Sequence, residues 1–319
     1  MATYFFRTSK LSRAQDRSAP FAAAYRAGEK VRDDLRRETY NYSYRQDVVH
    51  KEILLPSTLA GATPEWARNR ERLWNTAEAA EKQRNSVVAR EYLVQLPHEL
   101  SAEGRRTLAQ SLAREIAERH RVAVDLAVHL PRARGDSRNH HAHLLVTTRE
   151  ATATGLGRKS DFEVNKEERF KRGLGDGRTE LLELRKRWET LANEALKAEA
   201  VAVRIDARTL VAQGIERRPQ AHLPNAIYEL ERIGIRTAYG DKIRKSDEVV
   251  MPQGLRGDEA AHDSIRARQQ RAAENWLRYR EQEKSRSKGK ELQRDGAARG
   301  HSDETRAKER QPADRDLAE

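Results

Sequence analysis

Three histidines lie in two neighbouring apolar segments, at positions that could bring their imidazole rings together. His141 and His143 are two residues apart, and side chains with that spacing share one face of a β-strand. His129 ends the preceding apolar run, 122–128, and the polar, turn-rich segment 131–139 predicts an antiparallel hairpin between the two strands. Three imidazole nitrogens on one sheet face can bind a divalent metal and leave positions open for substrate.

The spacing alone leaves an ordinary structural role for these histidines open. The adjacent His140 would face the other way on the strand and is not expected to be a ligand. An acidic residue, Glu91, lies inside a further strand-like segment, 88–97. A carboxylate in a strand is costly to bury unless it is paired with a cation or hydrogen-bonded to a histidine.

Strands and helices alternate in the first half of the chain and position these residues. Ser18 and Gly28 have the residue types that begin and end a helix, and Pro20 suits its first turn. Tyr25 shares a face of this helix with Phe21, and spacing alone favours a core aromatic with its hydroxyl at the edge. Strand-like segments are 3–8, 48–56, 88–97, 122–129 and 139–148, and helical ones are 18–28, 64–81 and 101–117. This pattern predicts an α+β fold, an antiparallel or mixed sheet with helices on one side.

The chain changes character after residue 150. Residues 151–176 are rich in glycine and charge and predict a long, partly ordered loop beside the site. A mainly helical extension is expected over 177–283, and a disordered, charged tail over 284–319. The catalytic core is therefore expected to span 1–176.

Composition limits the classes of function. The chain has 319 residues, 62 Lys and Arg against 50 Asp and Glu, and a net charge of +12. Such an excess favours a polyanionic partner, most simply nucleic acid, although charge alone does not separate DNA from RNA or a membrane surface. The absence of cysteine excludes thiol chemistry and cysteine-based zinc sites. Without a long apolar run or a signal peptide, we expect a cytoplasmic protein with no membrane insertion.

Five sequence blocks together resemble the MobA/MobL family of plasmid mobilisation relaxases, which belong to the HUH endonuclease class. In chain order the blocks are SAPFAAAYRAGEK at 18–30, LWN at 73–75 with EAAEK at 78–82, AREY at 89–92 with LP at 96–97, NHHAHLLVTTR at 139–149, and the weaker QGIERRP at 213–219 with HL at 222–223. The order and spacing of the blocks are more specific than the histidine pattern alone. One departure is His140, where we expect a proline or an aromatic residue.

The resemblance implies a site- and strand-specific nickase that cleaves single-stranded DNA at a plasmid origin of transfer. The family's nucleophile matches Tyr25, which would form a 5′-phosphotyrosine intermediate and later allow the strand to be rejoined. The family's metal ligands match His129, His141 and His143, with Mg²⁺ or Mn²⁺ as the expected ion. Glu91 matches an acidic residue beside that metal, where it would either orient a histidine or accept the Tyr25 proton. The sequence leaves both roles of Glu91 open.

The resemblance also implies partners and a location. Accessory mobilisation proteins and the coupling protein of a type IV secretion system are expected partners besides the DNA. The expected location is the bacterial cytoplasm, with transfer to the recipient together with the DNA. Phosphate contacts or, alternatively, a solvated basic surface are expected at Arg132, Arg134, Arg138, Lys166, Lys171 and Arg172.

Three other interpretations stay open at this point. A rolling-circle replication initiator or a transposase would use the same chemistry at a different origin. A nucleic-acid-binding accessory protein would have structural histidines and a core Tyr25, and would form no covalent adduct. A metallohydrolase acting on a small substrate would have no need of the basic charge, which argues against it.

Overall fold

The computed structural model describes residues 4–15, 18–59, 61, 64–132, 136–221 and 223–251. The described residues divide into two compact units, a first unit that ends at residue 209 and a second that begins at residue 210. Residues 252–283 of the predicted helical extension and the tail predicted over 284–319 lie outside the described residues. Within the described residues, no helix is both long enough and apolar enough to cross a bilayer.

Strands and helices alternate along the first unit. The strands are β1 (Phe6–Ser12), β2 (Lys30–Asp33), β3 (Glu38–Asn41), β4 (Val48–Leu54), β5 (Val87–Gln95), β6 (Val122–His129), β7 (His141–Ala151) and β8 (Leu156–Lys159). The helices are α1 (Ala19–Ala27), α2 (Glu65–Arg68), α3 (Arg70–Ala79), α4 (Ala102–His120), α5 (Lys166–Lys171) and α6 (Gly177–Ala198). The described part of the second unit contains α7 (Asn225–Arg232) and α8 (Ala238–Arg244), with a small core around Leu223 and Ile243.

The main sheet of the first unit has the strand order β1-β5-β7-β6-β4, and β8 pairs with β7. Every pairing between these strands is antiparallel, and β2 and β3 form a separate antiparallel hairpin. The predicted α+β class with an antiparallel sheet is therefore confirmed. The hairpin over 30–41 was not predicted, because its highly charged sequence lacks the apolar alternation of a strand.

Helices cover both faces of the sheet, so the prediction that they lie on one side is wrong. β6 is buried at every position, and a strand that is buried on both faces needs cover on both. One buried cluster joins sheet residues such as Leu126 and Leu144 to α4 and α6. A second cluster joins the opposite face, including Ala123 and Leu145, to residues of α1 and α3.

The ends of α1 follow from its sequence, as predicted. The Ser18 hydroxyl accepts a hydrogen bond from the Phe21 N–H at 3.2 Å and donates one to the Asp33 carboxylate. Gly28 ends the helix in the left-handed conformation, with φ of 59°. The buried side of α1 consists of small residues, which let the helix lie close to the sheet.

The segment 151–176 contains regular structure, so the prediction of one long loop is wrong. β8 pairs with β7, and α5 begins at the Asn165 side chain, which accepts a hydrogen bond from the Glu168 N–H at 2.8 Å. Within the predicted helical extension, residues 210–214 form turns. The predicted helical extension begins with α6, which packs Trp188 into the core of the sheet. The division at residue 176 stays a prediction.

A buried ion pair joins α3 to the sheet. Asp125 on β6 has only 4% of its side chain exposed. It accepts hydrogen bonds from Arg70 Nε at 2.8 Å, Arg70 Nη2 at 2.9 Å and Trp74 Nε1 at 2.9 Å. Because Asp125 lies on the same strand and face as His129, this network fixes the strand that carries one of the histidines.

We expect Asp125→Ala to lower the free energy of unfolding by about 3–5 kcal/mol, because removing one partner leaves a buried charge without its counterion. Urea unfolding followed by circular dichroism measures this loss. Asp136→Ala is the matched control, since Asp136 pairs with Arg138 at the surface and that loss should be too small to resolve. Equal losses in the two variants would contradict the structural role given to the buried pair.

Candidate active site

The antiparallel pairing of β6 and β7 brings the three predicted histidines together. His129 lies opposite His141 in the register, and Ala127 lies opposite His143, so all three rings project from one face. The ring centroids are 4.8 to 5.3 Å apart. One nitrogen can be chosen from each ring so that all three lie within 4.8 Å of one another. This arrangement agrees with the spacing argument from the sequence.

Each of the three rings has one nitrogen within hydrogen-bond distance of an oxygen that can only accept a hydrogen bond. The contacts are His143 Nδ1 with Glu91 Oε1 at 2.7 Å, His141 Nδ1 with the Asn139 carbonyl at 2.9 Å, and His129 Nε2 with the Arg26 carbonyl at 2.7 Å. The bound nitrogen must therefore carry the proton, which leaves a lone pair on the other nitrogen. Metal-binding histidines are usually oriented in this way, so the donor set fits a divalent cation.

The rings also have the protonation state that metal binding requires. Burial lowers the pKa of His129 to about 3, assisted by the neighbouring histidines, and lowers that of His141 to about 4. Burial lowers the pKa of His143 as well, although the hydrogen bond to Glu91 opposes it. All three rings are therefore neutral near pH 7, which is the protonation state in which an imidazole can bind a metal.

Glu91 lies on β5 and faces the histidines. Its Oε1 atom accepts hydrogen bonds from His143 and from Arg26 Nε, and its Oε2 atom accepts one from the Ser9 hydroxyl at 3.2 Å. Burial would raise the pKa of Glu91, but the hydrogen bond from His143 and the charge of Arg26 hold it far below its usual value. The carboxylate is thus paired with both a cation and a histidine, as its place within a strand required.

Tyr25 lies at the surface of α1, so the interpretation as a core aromatic is wrong. Its side chain is 36% exposed, because the buried side of the helix consists of small residues and the aromatic side faces outward. A cavity of about 390 Å³ is lined by Tyr25, Arg26, Glu91 and His143. The candidate nucleophile and part of the candidate metal site therefore face the same space.

Arg45 is a site residue that sequence reasoning missed. Its guanidinium carbon lies 4.4 Å from the centroid of the Tyr25 ring, and it donates a hydrogen bond to the Tyr25 carbonyl. The same group pairs with Asp47 and lies 3.3 Å from His129 Nδ1, the ring nitrogen that carries the lone pair. Arg45 lies in an irregular segment between β3 and β4, where no periodicity marks a functional position.

The six predicted phosphate contacts lie in different surroundings. Arg138 pairs with Asp136, and Arg172 pairs with Glu168 and Asp161. Exposed side chains are found at Arg132, Lys166 and Lys171, whereas Arg134 lies outside the described residues. The arginines that line the cavity beside Tyr25 are Arg7 and Arg26, which were not predicted as DNA contacts. A role of the six residues in DNA binding stays a prediction.

Comparison with known proteins gives matches over most of the first unit. A sequence model of the MobA/MobL family matches residues 17–232. Mobilization protein MobL of Acidithiobacillus ferridurans is 35% identical over 256 residues, which cover 73% of this chain and 64% of that protein. Mobilization protein A of Escherichia coli is 30% identical over 250 residues, which cover 76% of this chain and 32% of that protein. The chain therefore spans less than two thirds of the length of these relatives.

A solved structure has a similar fold. It is described as "Molecular Basis of Vancomycin Resistance Transfer in Staphylococcus aureus", and it is 29% identical to this chain with a TM-score of 0.53. The similarity covers 65% of this chain and 100% of that chain. That share is close to the size of the first unit, which carries the histidines and Tyr25.

We expect His141→Ala to weaken Mn²⁺ binding by at least about 10- to 100-fold. Removal of a residue that only supports a metal ligand has an effect of this size, and His141 is assigned as a ligand itself. Isothermal titration calorimetry with MnCl₂ measures the affinity. His140→Ala is the matched control, because its side chain lies outside the group of histidines that could hold a metal. An equal loss in both variants would contradict the assignment of the ligands.

The same titration should give nearly the same affinity for the unaltered protein at about pH 7.5 and about pH 5.5. Protons compete with a metal only as the pH approaches the pKa of the ligand, and burial lowers that of His141 to about 4. A solvent-exposed imidazole, with a pKa of about 6.5, would lose affinity over this range. A tenfold fall in affinity would contradict the buried, neutral state of the rings.

Proposed function

Because the chain belongs to the MobA/MobL family, we propose that it is a site- and strand-specific DNA nickase that starts conjugative mobilisation. It would cut single-stranded DNA at a plasmid origin of transfer and later rejoin the strand. The observation that carries this proposal is the cavity shared by Tyr25, Glu91 and His143, beside three histidines whose nitrogens lie close enough to one another to hold a metal. The names of the relatives, mobilization proteins and a conjugal transfer protein, support the proposal.

The reaction is a transesterification at one phosphodiester. The Tyr25 hydroxyl oxygen bonds to phosphorus, and the bond between phosphorus and the 3′ oxygen of the preceding nucleotide breaks. The phenolic proton leaves, and the departing oxygen takes up a proton to become a free 3′-hydroxyl. The 5′-phosphotyrosine preserves the energy of the broken bond, so the same hydroxyl can reverse the reaction and reseal the strand.

The three histidines would hold the divalent ion that this chemistry needs. When bound, such an ion polarises a phosphate oxygen and neutralises the charge that develops on it. Imidazole nitrogens suit transition metals better than they suit Mg²⁺, which prefers oxygen ligands. Of the two ions expected from the sequence, Mn²⁺ therefore fits this set of donors better.

Glu91 fits an orienting role better than a role as the proton acceptor. Its Oε1 atom already accepts hydrogen bonds from His143 and Arg26. The hydrogen bond from His143 and the charge of Arg26 outweigh burial and hold the pKa of Glu91 far below its usual value, which makes the carboxylate a weak base. We therefore assign Glu91 to fixing the His143 ring and the Arg26 side chain.

Glu91→Gln distinguishes the two roles. If Glu91 orients His143, we expect Mn²⁺ affinity to fall about 10- to 100-fold and the rate of adduct formation to recover largely at saturating Mn²⁺. Calorimetry and single-turnover rates over a range of Mn²⁺ concentrations measure both quantities. An unchanged affinity with a rate that stays low at every Mn²⁺ concentration would instead assign Glu91 as the proton acceptor.

Tyr25→Phe should abolish the covalent adduct with DNA, because the substitution removes only the attacking oxygen. The measurement is a denaturing gel of the protein with Mn²⁺ and labelled single-stranded DNA from the origin of transfer, with a chelator control. Tyr42→Phe is the matched variant, since the Tyr42 ring centroid lies 5.2 Å from that of Tyr25. A band that survives in Tyr25→Phe and is lost in Tyr42→Phe would move the nucleophile to Tyr42.

Tyr4 is a poor alternative nucleophile, because its hydroxyl donates a hydrogen bond to the Arg185 carbonyl and burial raises its pKa to about 12.

Two further outcomes of that gel bear on the other interpretations. A Tyr25-dependent band formed only with a replication origin would indicate a replication initiator. Tight DNA binding without a band on any origin would favour the accessory protein. Binding of mobilisation and coupling proteins stays part of the proposal.

A further inference from the structure

Aromatic side chains that belong to neither buried cluster of the first unit surround Tyr25. We call Phe21, Tyr42 and Tyr44 the aromatic platform. The Tyr42 ring lies edge-on to both Tyr25 and Phe21, at centroid distances of 5.2 and 5.9 Å. Tyr44 continues the row, with its ring centroid 6.1 Å from that of Tyr42. The platform therefore extends from the candidate nucleophile along the segment that follows β3.

The platform is exposed to an extent that packing does not explain. Tyr44 is 72% exposed and Phe21 is 40% exposed, and Tyr42, which joins them, is half-buried. Both lie outside the apolar clusters that the described residues of the first unit form around the sheet. Exposed aromatic side chains that adjoin one another, unlike scattered ones, usually mark a surface that binds another molecule.

The neighbouring charges favour an anionic strand as the bound molecule. Arg7 lines the cavity that Phe21 and Tyr25 share, and Arg45 lies over the Tyr25 ring, where it also pairs with Asp47. A row of aromatic rings beside cationic side chains is the arrangement with which proteins bind single-stranded nucleic acid. The rings stack on the bases, and the cations lie near the backbone.

We propose that the aromatic platform stacks on unpaired bases next to the phosphodiester that Tyr25 attacks. The proposal rests on the proposed function, because that function puts a DNA phosphate beside Tyr25. Successive nucleotides of a stacked strand are about 3.4 Å apart, and the Tyr42 ring centroid lies 5.2 Å from that of Tyr25, so a base one or two nucleotides from the phosphodiester comes within reach of the platform. Stacking needs exposed base faces, which a duplex hides, and the platform would therefore select single-stranded DNA.

Tyr40 has a supporting role in this arrangement. Its ring meets the edge of Phe21 at a centroid distance of 5.1 Å, and its hydroxyl donates a hydrogen bond to Glu38 at 2.6 Å. The β2–β3 hairpin thus holds Phe21 from one side. Tyr44 is the best residue to test. Among the described residues, its ring contacts the rest of the platform only at Tyr42.

The test compares two fluorescein-labelled oligonucleotides by fluorescence anisotropy. One is a dT 12-mer, and the other is an abasic strand of the same length and charge. We expect Tyr44→Ala to weaken binding of the dT strand about 5- to 100-fold and to leave the abasic strand unaffected. Tyr44→Phe should keep the affinity, because it keeps the ring. Tyr239→Ala is the matched control, an exposed tyrosine of α8 in the second unit.

Several results would overturn the platform. One is equal weakening of both strands by Tyr44→Ala, which would mean a general structural effect. Another is equal affinity of the unaltered protein for the dT strand and the abasic strand, since the bases would then contribute nothing to binding. The covalent-adduct gel, run on the same protein preparations with labelled DNA from the origin of transfer, separates this proposal from the nickase. A Tyr25-dependent adduct with dT binding unaffected by Tyr44→Ala would refute the platform alone. Weaker dT binding by Tyr44→Ala without any adduct in the unaltered protein would refute the nickase, and would leave the platform only as a surface that binds single-stranded DNA.

Discussion

Arg26 makes the two hydrogen bonds on which the rest of the site depends. Its side chain donates to Glu91, which in turn accepts from His143, and its backbone carbonyl accepts from His129 Nε2. Arg26, which follows Tyr25 in the helix, is therefore hydrogen-bonded directly to His129 and linked to His143 through the Glu91 carboxylate. These bonds couple the position of α1, which carries the proposed nucleophile, to the proposed metal ligands. Such coupling would provide the positioning that the proposed transesterification requires.

The fold keeps both ends of that constraint in place. The cap at Ser18 and the left-handed residue Gly28 fix where α1 begins and ends, and its small buried residues let it lie close to the sheet. The antiparallel register of β6 and β7 fixes the histidines, and the buried Asp125 joins β6 to α3. With helices on both faces, the sheet has little freedom to shift. The site is therefore held in place on the side of the three histidines and exposed on the aromatic side of α1.

The sequence was sufficient for the parts of the site that follow local rules. Alternation on two strands and a turn-rich connection predicted the group of three histidines, and residue types predicted both ends of α1. Long-range contacts could not be predicted in this way. The Asn139 and Arg26 carbonyls that orient two rings are backbone atoms, which no residue type reveals. Arg45 reaches the site from an irregular segment, and the β2–β3 hairpin that supports Phe21 is too charged to resemble a strand.

Tyr25 shows the limit of periodicity most clearly. The spacing of Phe21 and Tyr25 predicts a shared face, which is correct, but it does not say whether that face is buried. The face is open because the alanines of the opposite side already satisfy the packing of α1 against the sheet. The exposed aromatic face is then available for function. The resemblance to the MobA/MobL family, rather than the helical spacing, identified Tyr25 on that face as a candidate.

The most direct test of the account is to locate the DNA on the protein after reaction. The covalent complex formed with Mn²⁺ is digested with trypsin and nuclease, and the phosphonucleotide is located by tandem mass spectrometry. Trypsin separates the candidates, since Tyr25 is the only tyrosine of peptide 18–26, whereas Tyr40, Tyr42 and Tyr44 share peptide 38–45. The account predicts the modification on peptide 18–26 and none without the metal. Modification on peptide 38–45, or modification that persists with chelator, would contradict it.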